Sequence, residues 1–178
     1  QLEETVRQTN QMLALARVDS AGLKMDSVNV SELAEKTTRQ WWSAAREQNI
    51  DLGFEPDAEP LCVMADAALL QEALSNLLHN ALRYTPRGGQ VTVKLTHSGC
   101  EVAISVIDNG PGMPMPERAH AGDRFYRGSN ASLPGTGLGL AIVRSIAERH
   151  GGELRLGSAA NEQGFVASVV LPRRPTTG

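Results

Sequence analysis

Four polar side chains recur every four residues within the stretch 69–85: Glu72, Asn76, Asn80 and Tyr84. On an α-helix this spacing places them on one face. Asparagine is a mediocre helix former because its amide competes for backbone hydrogen bonds, and each of the two costs roughly half a kcal/mol or more relative to alanine. An amide oxygen is also a neutral, hard ligand that suits Mg²⁺. The face is therefore either a magnesium-binding surface or a solvated polar face. The motifs that follow in the sequence are needed to distinguish these two alternatives.

A second candidate site follows a predicted strand, where Asp108 and Asn109 precede Gly110, Pro111 and Gly112. A carboxylate there can accept a hydrogen bond from an exocyclic amine, which adenine offers and guanine does not offer in the same position. The two glycines would let the backbone approach a flat ring closely. Because Asp-Asn-Gly is also an ordinary turn sequence, an adenine site and a plain β-turn both remain open.

The third motif is Gly135-Thr136-Gly137-Leu138-Gly139-Leu140, which opens a predicted helix. Glycines permit backbone angles that aim successive N–H groups at one point, and a helix N-terminus adds partial positive charge, so phosphate is the natural ligand. The motif is not a Walker A loop, because no Gly-Lys-Ser/Thr follows. It also lacks the preceding strand of the dinucleotide-binding fingerprint. A flexible hinge is the alternative.

Residues 113–134 have no sustained hydrophobic period and contain several glycines and prolines. An irregular connection of this length inside a compact domain often forms a lid over a site. Arg118, Arg124 and Arg127 lie in it, and a guanidinium there could reach a terminal phosphate. We favour that role for Arg127, which follows Phe125-Tyr126, and a solvated surface position for the other two.

The 178-residue chain has 41% hydrophobic and 21% charged residues, which is typical of a soluble α/β or α+β protein. Its net charge of −3 gives no support for nucleic-acid binding. Cys62 and Cys100 stand singly in apolar, strand-like contexts, so we expect buried free thiols in a reducing cytoplasm. The sequence has no run of about 18 apolar residues and no charged-then-apolar leader, so we expect neither a membrane span nor a signal peptide within this segment, and we expect that the first residues belong to the interior of a longer helix.

Periodicity and capping signals predict the elements that position these motifs. The heptad-like spacing of residues 2, 6, 9, 13 and 16 predicts a helix that packs on partner helices, or one folded back on its own domain. Further helices are expected from Asn29 or Ser31 to about Gln48, after Asp66, and from Leu140 to His150. Strands are expected at 50–54, 61–64, 90–96, 101–107, 153–156 and 165–171. Trp41 and Trp42 are expected to be packing residues.

The order of these motifs resembles the GHKL ATP-binding fold of sensor histidine kinases, gyrase-type topoisomerases, Hsp90-type chaperones and MutL-type repair proteins. The similarity is greatest to the catalytic and ATP-binding domain of bacterial two-component sensor histidine kinases. NLLHNALRYTP resembles their N box, DNGPGM their G1 box, DRFYRG the end of their F box, and GTGLGLAIVRSIAERHGG their G2 box with its helix.

The resemblance implies an α/β (α+β) two-layer sandwich, with a mixed sheet carrying helices on one face and ATP between the helices and the lid. It implies Mg²⁺ at Asn80 and phosphates close to Asn76. Arg83 and Tyr84 would contact the nucleotide, and Arg127 would approach the γ-phosphate, so that Asn80 and Arg127 would serve catalysis.

The other nucleotide-binding positions that the resemblance implies come from the two glycine motifs. Asp108 would bind the adenine amine, beside Gly110 and Gly112. The triphosphate would be wrapped by Gly135, Thr136, Gly137, Leu138, Gly139 and Leu140.

The resemblance covers about residues 28–172. It implies that 1–19 end the dimerisation and phosphoacceptor helix, 20–28 form a linker, 29–172 form the catalytic domain, and 173–178 form a disordered tail. The parent protein, a homodimer in a bacterial inner membrane with this domain in the cytoplasm, would transfer the γ-phosphoryl group of ATP to a histidine upstream of residue 1. An aspartate on a response regulator would then receive it. The alternative is a nucleotide-gated conformational module without catalysis.

Two departures from the family pattern have consequences. Ala121-Gly122 stands before Asp123 where the family usually has an apolar residue and a phenylalanine, so we expect a mobile lid over residues 113–134. The contexts of the four histidines do not suit a phosphoacceptor, so we expect ATP binding without self-labelling. These histidines are His79, His97, His120 and His150.

Overall fold

The computed structural model describes residues 2–20, 22–113, 115–118, 120–123, 138–159 and 163–173. The helices are α1 (Leu2–Ser20), α2 (Val30–Gln40), α3 (Trp42–Glu47), α4 (Ala67–Tyr84), α5 (Met115–Arg118) and α6 (Gly139–Arg149). The strands are β1 (Asp26–Asn29), β2 (Asp51–Glu55), β3 (Cys62–Ala65), β4 (Gln90–Ser98), β5 (Glu101–Asp108), β6 (Glu153–Gly157) and β7 (Phe165–Pro172). Within these ranges, none of the helices combines the length and the apolar character that a membrane crossing needs.

The main sheet has five strands in the order β2-β4-β5-β7-β6. β2 runs parallel to β4, whereas the other neighbouring strands are antiparallel, so the sheet is mixed. Every second residue of β5 is buried and the residues between are half-buried, which shows that one face of the sheet meets the helices. The two-layer α/β architecture expected from the sequence is therefore confirmed.

The long helices α4 and α6 lie side by side in the helical layer. Their largest fully buried side chains are Leu70, Leu74, Leu77, Leu78, Ile142 and Ile146. Burial of one such side chain contributes about 1.5–3 kcal/mol, so this apolar seam holds the polar face of α4 and the first turn of α6 in a defined relation.

The helix predicted from Asn29 to about Gln48 is in fact two helices, and the break is at Trp41. The Thr37 and Thr38 hydroxyls donate to the carbonyls of Leu33 and Ala34, a back-bond that bends helices. The Trp41 N–H then donates to the Thr38 carbonyl, three residues back, which ends the α-helical pattern.

Three other sequence predictions need correction, and the first concerns the small two-stranded sheet of β1 and β3, which was not foreseen. Strand β1 occupies the end of the predicted linker 20–28 and pairs with β3. Cys62 lies on the outer face of β3 and Cys100 in the β4–β5 turn, so both thiols are exposed rather than buried. Trp41 packs on the core as predicted, but Trp42 is 51% exposed.

Helix α1 packs on α6 through Ala14, Leu15 and Val18, which are buried. The heptad-like stripe singled out in the sequence points elsewhere, since Leu2, Val6 and Leu13 are exposed. The two sequence interpretations of α1 therefore use different faces of one helix. One face packs on the domain, and the other is exposed to solvent.

Candidate functional site

The polar face of α4 is positioned by the start of the helix and by its apolar face. Asp66 caps the helix, with its Oδ1 accepting the Leu69 N–H at 3.2 Å. The Asp66 N–H in turn donates to Nε2 of the buried His150 at 3.0 Å, which ties the cap to the end of α6. With the leucine stripe in the core, Asn76 and Asn80 are left half-buried.

Asn76 lies beside the first turn of α6. Its Nδ2 donates to the Glu72 carbonyl one turn earlier at 2.9 Å. A Cβ built on Gly139 would lie 3.7 Å from Asn76 Oδ1, so only a small gap separates this amide oxygen from the start of α6. Helix α6 begins without a side-chain cap in the described chain, and the first N–H groups of such a helix are suited to an anion.

Leu138 and Leu140, two of the positions that the resemblance assigned to phosphate binding, have buried side chains. They belong to the core cluster, and the Leu138 carbonyl accepts the Ile142 N–H at 2.9 Å. Any contact from these two positions to a nucleotide would therefore come from the backbone, and their side chains serve to fix the first turn of α6.

Asp108 ends β5 and is only 5% exposed. Its Oδ1 accepts the Gly110 N–H at 2.9 Å. Burial raises the pKa of the Asp108 carboxyl, and hydrogen bonds from the Gly110 and Phe165 backbone oppose that rise. One oxygen of this carboxylate is thus committed to its own turn.

The Asp108 turn is pressed between the end of α4 and the start of β7. A Cβ on Gly110 would lie 2.9 Å from the Tyr84 carbonyl oxygen, and one on Gly112, whose φ is +76°, would lie 2.7 Å from the Gly164 carbonyl oxygen. Side chains at these two glycines would collide with backbone. The sequence analysis found both glycines but missed Gly164, which has φ +85° and would place a Cβ 2.1 Å from the Asp108 carbonyl oxygen. Its place directly before strand β7 was the available signal.

Arg83 and Tyr84, both half-buried, lie at the end of the same polar face. Arg83 acts electrostatically on His79: desolvation first, then the charges of Arg83 and Arg7, lower the pKa of His79 to about 4. The structure thus places the Asp108 turn against the end of α4 at Tyr84, and the first turn of α6 beside Asn76, about two helical turns earlier on the same helix.

The remaining predicted residues belong to the segment 113–134 and to the glycine-rich motif that follows it. Arg127, Gly135, Thr136 and Gly137 lie outside the described residues, as does Arg124. Arg118 is described, and its guanidinium donates to the Met113 carbonyl at 3.0 Å and to the Ser158 hydroxyl. Arg118 thus joins α5 to the segment after β6, and it is half-buried and bonded to protein groups rather than solvated as expected.

Comparisons with known proteins agree with this arrangement. Residues 65–175 match the family described as histidine kinase-, DNA gyrase B- and HSP90-like ATPases. The chain is 36% identical over 181 residues to the signal transduction histidine-protein kinase/phosphatase MprB of Mycolicibacterium vanbaalenii, which covers 99% of this chain and 37% of that protein. The chain thus spans just over a third of the length of that curated relative.

Solved structures show the same similarity. A mycobacterial sensor histidine kinase MprB superposes with a TM-score of 0.72 at 33% identity, covering 85% of this chain and 99% of that one. Histidine kinase ThkA, solved in complex with response regulator protein TrrA, superposes with a TM-score of 0.81 at 26% identity, covering 99% of this chain and 50% of that one.

Proposed function

Since the chain belongs to the histidine kinase-, DNA gyrase B- and HSP90-like ATPases, and within them matches the ATP-binding catalytic domain of sensor histidine kinases, we propose that its parent protein is a protein-histidine kinase. The bond from the γ-phosphorus to the β–γ bridging oxygen breaks, and ADP leaves with that electron pair. A neutral histidine nitrogen upstream of residue 1 donates its lone pair to the phosphorus. A response regulator, the class of protein that ThkA binds in its complex, then receives the phosphoryl group.

The observation that carries the proposal is that α4 has a buried carboxylate, Asp108, in the turn against its end and, beside its amide-bearing face, the start of α6, which has no side-chain cap among the described residues. The Asp108 carboxylate accepts backbone hydrogen bonds from Gly110 and Phe165, and because a carboxylate has about four lone-pair sites, it can still accept one from the adenine amine. Gly110 and Gly112 keep the turn against the backbone of α4 and β7. Asn76 and the α6 start, next to each other, are the phosphate end of the site.

Asn80 and Asn76 fit a magnesium ion bound together with phosphate. Their amide oxygens are hard, neutral donors on one face of α4. Among the described residues no group of three His, Cys, Asp or Glu side chains could hold a metal. In this proposal Asn80 would be the protein ligand, with phosphate and water as the other ligands. The ion would neutralise charge on the transferring group.

The roles of the remaining site residues follow the same geometry. Arg83 and Tyr84 contact the nucleotide from the end of α4. Gly139, with Leu138 and Leu140 as core anchors, presents the first N–H groups of α6. Gly135, Thr136 and Gly137 complete the phosphate wrap, and Arg127 stabilises the γ-phosphate.

We assign α1 to a helical bundle that joins two copies of the parent chain. The exposed Leu2, Val6 and Leu13 are an apolar stripe that a partner helix would cover. In this proposal residues 1–19 end the phosphoacceptor bundle, residues 20–25 connect it to the domain, and the catalytic domain begins with β1 at Asp26 rather than at residue 29 and extends to residue 172. The parent chain is a homodimer held in the inner membrane, with this domain on the cytoplasmic side.

Calorimetric titration with ATP, ADP and GTP, with and without Mg²⁺, tests the site. We expect adenine selectivity in the wild type, a loss of affinity in Asp108→Ala and a loss of metal dependence in Asn80→Ala. Gln71→Ala is the matched control, since the Gln71 amide lies on the outer side of the same helix and bonds Gln40. Absence of ATP binding by the folded wild type would overturn the proposal.

Phosphoryl transfer is tested by adding back the upstream helices of the parent chain and following labelled phosphate from γ-labelled ATP. Acid-labile label on those helices is the result expected of a histidine kinase. ATP binding with no label would favour the nucleotide-gated conformational module instead.

A further inference from the structure

His150, the residue that follows α6, is buried and has both ring nitrogens engaged. Its Nδ1 lies 2.7 Å from the Ile146 carbonyl oxygen, one turn earlier in the chain. Because a carbonyl oxygen can only accept, Nδ1 carries the hydrogen, and Nε2 is left to accept the Asp66 N–H at 3.0 Å. The ring is therefore oriented by its own helix and bonded to the residue that caps α4.

Asp66 is held by further hydrogen bonds on its own side. Its Oδ1 accepts the Leu69 N–H at 3.2 Å, within the first turn of α4. Its Oδ2 accepts the Lys24 N–H at 3.1 Å, from the segment that precedes β1. The hydrogen bond from Asp66 to His150 thus joins two residues that are each fixed within their own part of the chain.

Two contacts define how α4 and α6 lie against each other, and they show that the helices are antiparallel. Gly139, the first residue of α6, lies beside Asn76, and His150, just after the last, is bonded to Asp66. The two contacts are ten residues apart in α4, about 15 Å, and eleven residues apart in α6, about 16 Å. Because these lengths agree, the axial position that satisfies the His150 hydrogen bond also brings the start of α6 to Asn76.

The apolar seam between the two helices does not fix their axial position as closely. Hydrophobic attraction has no preferred direction, whereas a hydrogen bond weakens steeply when its length and angle change. A slip of α6 by one residue would move its first N–H groups by about 1.5 Å. A binding site must be held within about 0.5 Å of its productive geometry, so such a slip would separate the α6 start from Asn76 by too much.

We propose that His150 is a positioning residue for the phosphate end of the nucleotide site, which sets the axial position of α6 against α4. The proposal rests on the proposed function, in which Asn76 and the first turn of α6 bind phosphate. Without the hydrogen bond, ATP binding itself has to restore the alignment, and its affinity falls by up to the net contribution of that bond, about two- to tenfold. Adenosine has no phosphate and is recognised at the Asp108 turn, so its affinity should stay the same.

The test compares His150→Leu, His150→Gln and Ile146→Val by titration with ATP and with adenosine. Leucine fills similar space without an acceptor, whereas glutamine can present an amide oxygen to the Asp66 N–H. Ile146→Val is the matched control, because it removes one methyl group from a fully buried side chain of the same helix and leaves the hydrogen bond in place.

We expect His150→Leu to weaken ATP binding about two- to tenfold and to change adenosine binding by less than about twofold. His150→Gln should recover part of the ATP affinity, and Ile146→Val should keep the wild-type ratio of the two affinities. An unchanged ATP affinity in His150→Leu, or an equal loss for ATP and adenosine, would overturn the positioning role.

Nuclear magnetic resonance of the nucleotide-free chain separates this inference from the proposed function. In the wild type we expect the hydrogen of the His150 ring on Nδ1, a result that does not depend on any variant folding. The side-chain amide signals of Asn76 should shift in His150→Leu but not in Ile146→Val, whether or not the chain binds ATP. A hydrogen on Nε2, or unchanged Asn76 signals, overturns the inference. Failure of the wild type to bind ATP, together with the expected Asn76 shift, overturns the proposed function and supports the alignment by His150.

Discussion

The carboxyl group of Asp108 shows a conflict between stability and binding at a single residue. Burial raises its pKa above the ordinary value of 3.8, so the folded chain holds this proton more tightly than the unfolded chain does. Its contribution to stability is therefore greatest below that ordinary pKa, and is lost as the pH rises through the raised pKa. At neutral pH the buried carboxylate lowers the stability of the folded chain, and the backbone hydrogen bonds from Gly110 and Phe165 only partly offset this cost.

We predict that Asp108→Asn leaves the nucleotide-free chain as stable as the wild type or more stable at pH 7, with the advantage shrinking towards pH 3. The amide keeps one oxygen for the Gly110 N–H, but it places an NH₂ group where the adenine amine needs an acceptor. ATP affinity should therefore fall about 10- to 100-fold, the range expected for one hydrogen bond to a charged group. Urea unfolding at several pH values and calorimetry measure the two effects. Reduced stability at pH 7 would argue against the desolvation account.

Helix α1 has one buried face and one exposed apolar stripe. The face of Ala14, Leu15 and Val18 packs on α6, and the Ser145 hydroxyl adds a 3.4 Å hydrogen bond to Asp19. The stripe of Leu2, Val6 and Leu13 is exposed. Because α6 also begins next to Asn76, the element that carries the exposed stripe rests on the helix that helps to form the nucleotide site.

Leu15→Ala and Leu13→Ala form a matched pair that tests this packing. Leu15 is 3% exposed and Leu13 is 56% exposed, on the same helix and with the same chemical change. We predict that Leu15→Ala costs about 2–5 kcal/mol, up to the full free energy of α1 packing, whereas Leu13→Ala changes stability by about 0.5 kcal/mol or less. Urea unfolding of this chain provides the comparison. Equal costs would show that α1 does not pack on α6 in solution.

Across the whole molecule, His79 is the point where three parts of the chain meet. Its Nε2 accepts a hydrogen bond from Arg7 of α1 at 3.2 Å, because a guanidinium can only donate. Its ring meets Trp41, between α2 and α3, edge-on at a centroid distance of 6.0 Å. Desolvation, Arg83 and Arg7 lower the pKa of His79 to about 4, so the ring is neutral near pH 7.

This lowered pKa predicts a specific pH dependence of folding. The unfolded chain binds a proton at His79 near pH 6.5 and the folded chain only near pH 4, so the stabilising effect of neutral His79 is complete above pH 6.5. That stability is lost as the pH falls through this window. We predict that His79→Gln, which cannot titrate, shows a shallower loss of unfolding free energy between pH 6.5 and 4 than the wild type.

Urea unfolding of the wild type and His79→Gln at half-unit pH steps measures the difference. His97→Gln is the control, since His97 lies at the end of β4 and pairs with Asp57 on the surface. Parallel curves for wild type and His79→Gln would contradict the burial of a neutral His79 against Arg7.

Patterns that are local in the chain determined much of this protein from the sequence alone. The Asp66 cap, the leucine stripe of α4, the β4–β5 hairpin and the strand that ends at Asp108 all involve residues close in sequence. Their propensities and hydrogen bonds act within a few residues. The motif order also sufficed for the family and the mixed two-layer fold. The roles of the individual site residues, with Arg127, Gly135, Thr136 and Gly137 among them, stay predictions.

Only the tertiary structure decided which of several equivalent surfaces would be covered. Periodicity shows that residues share a face, but the face that finds a partner depends on distant segments, as α1 and the exposed Cys62 show. The break at Trp41 depends on the side-chain back-bonds of the preceding turn. Contacts between separate elements also decided the pairing of β1 with β3 and the packing of the Arg144 side chain against Gly122. Such contacts form when elements pack, and local preference alone does not specify them.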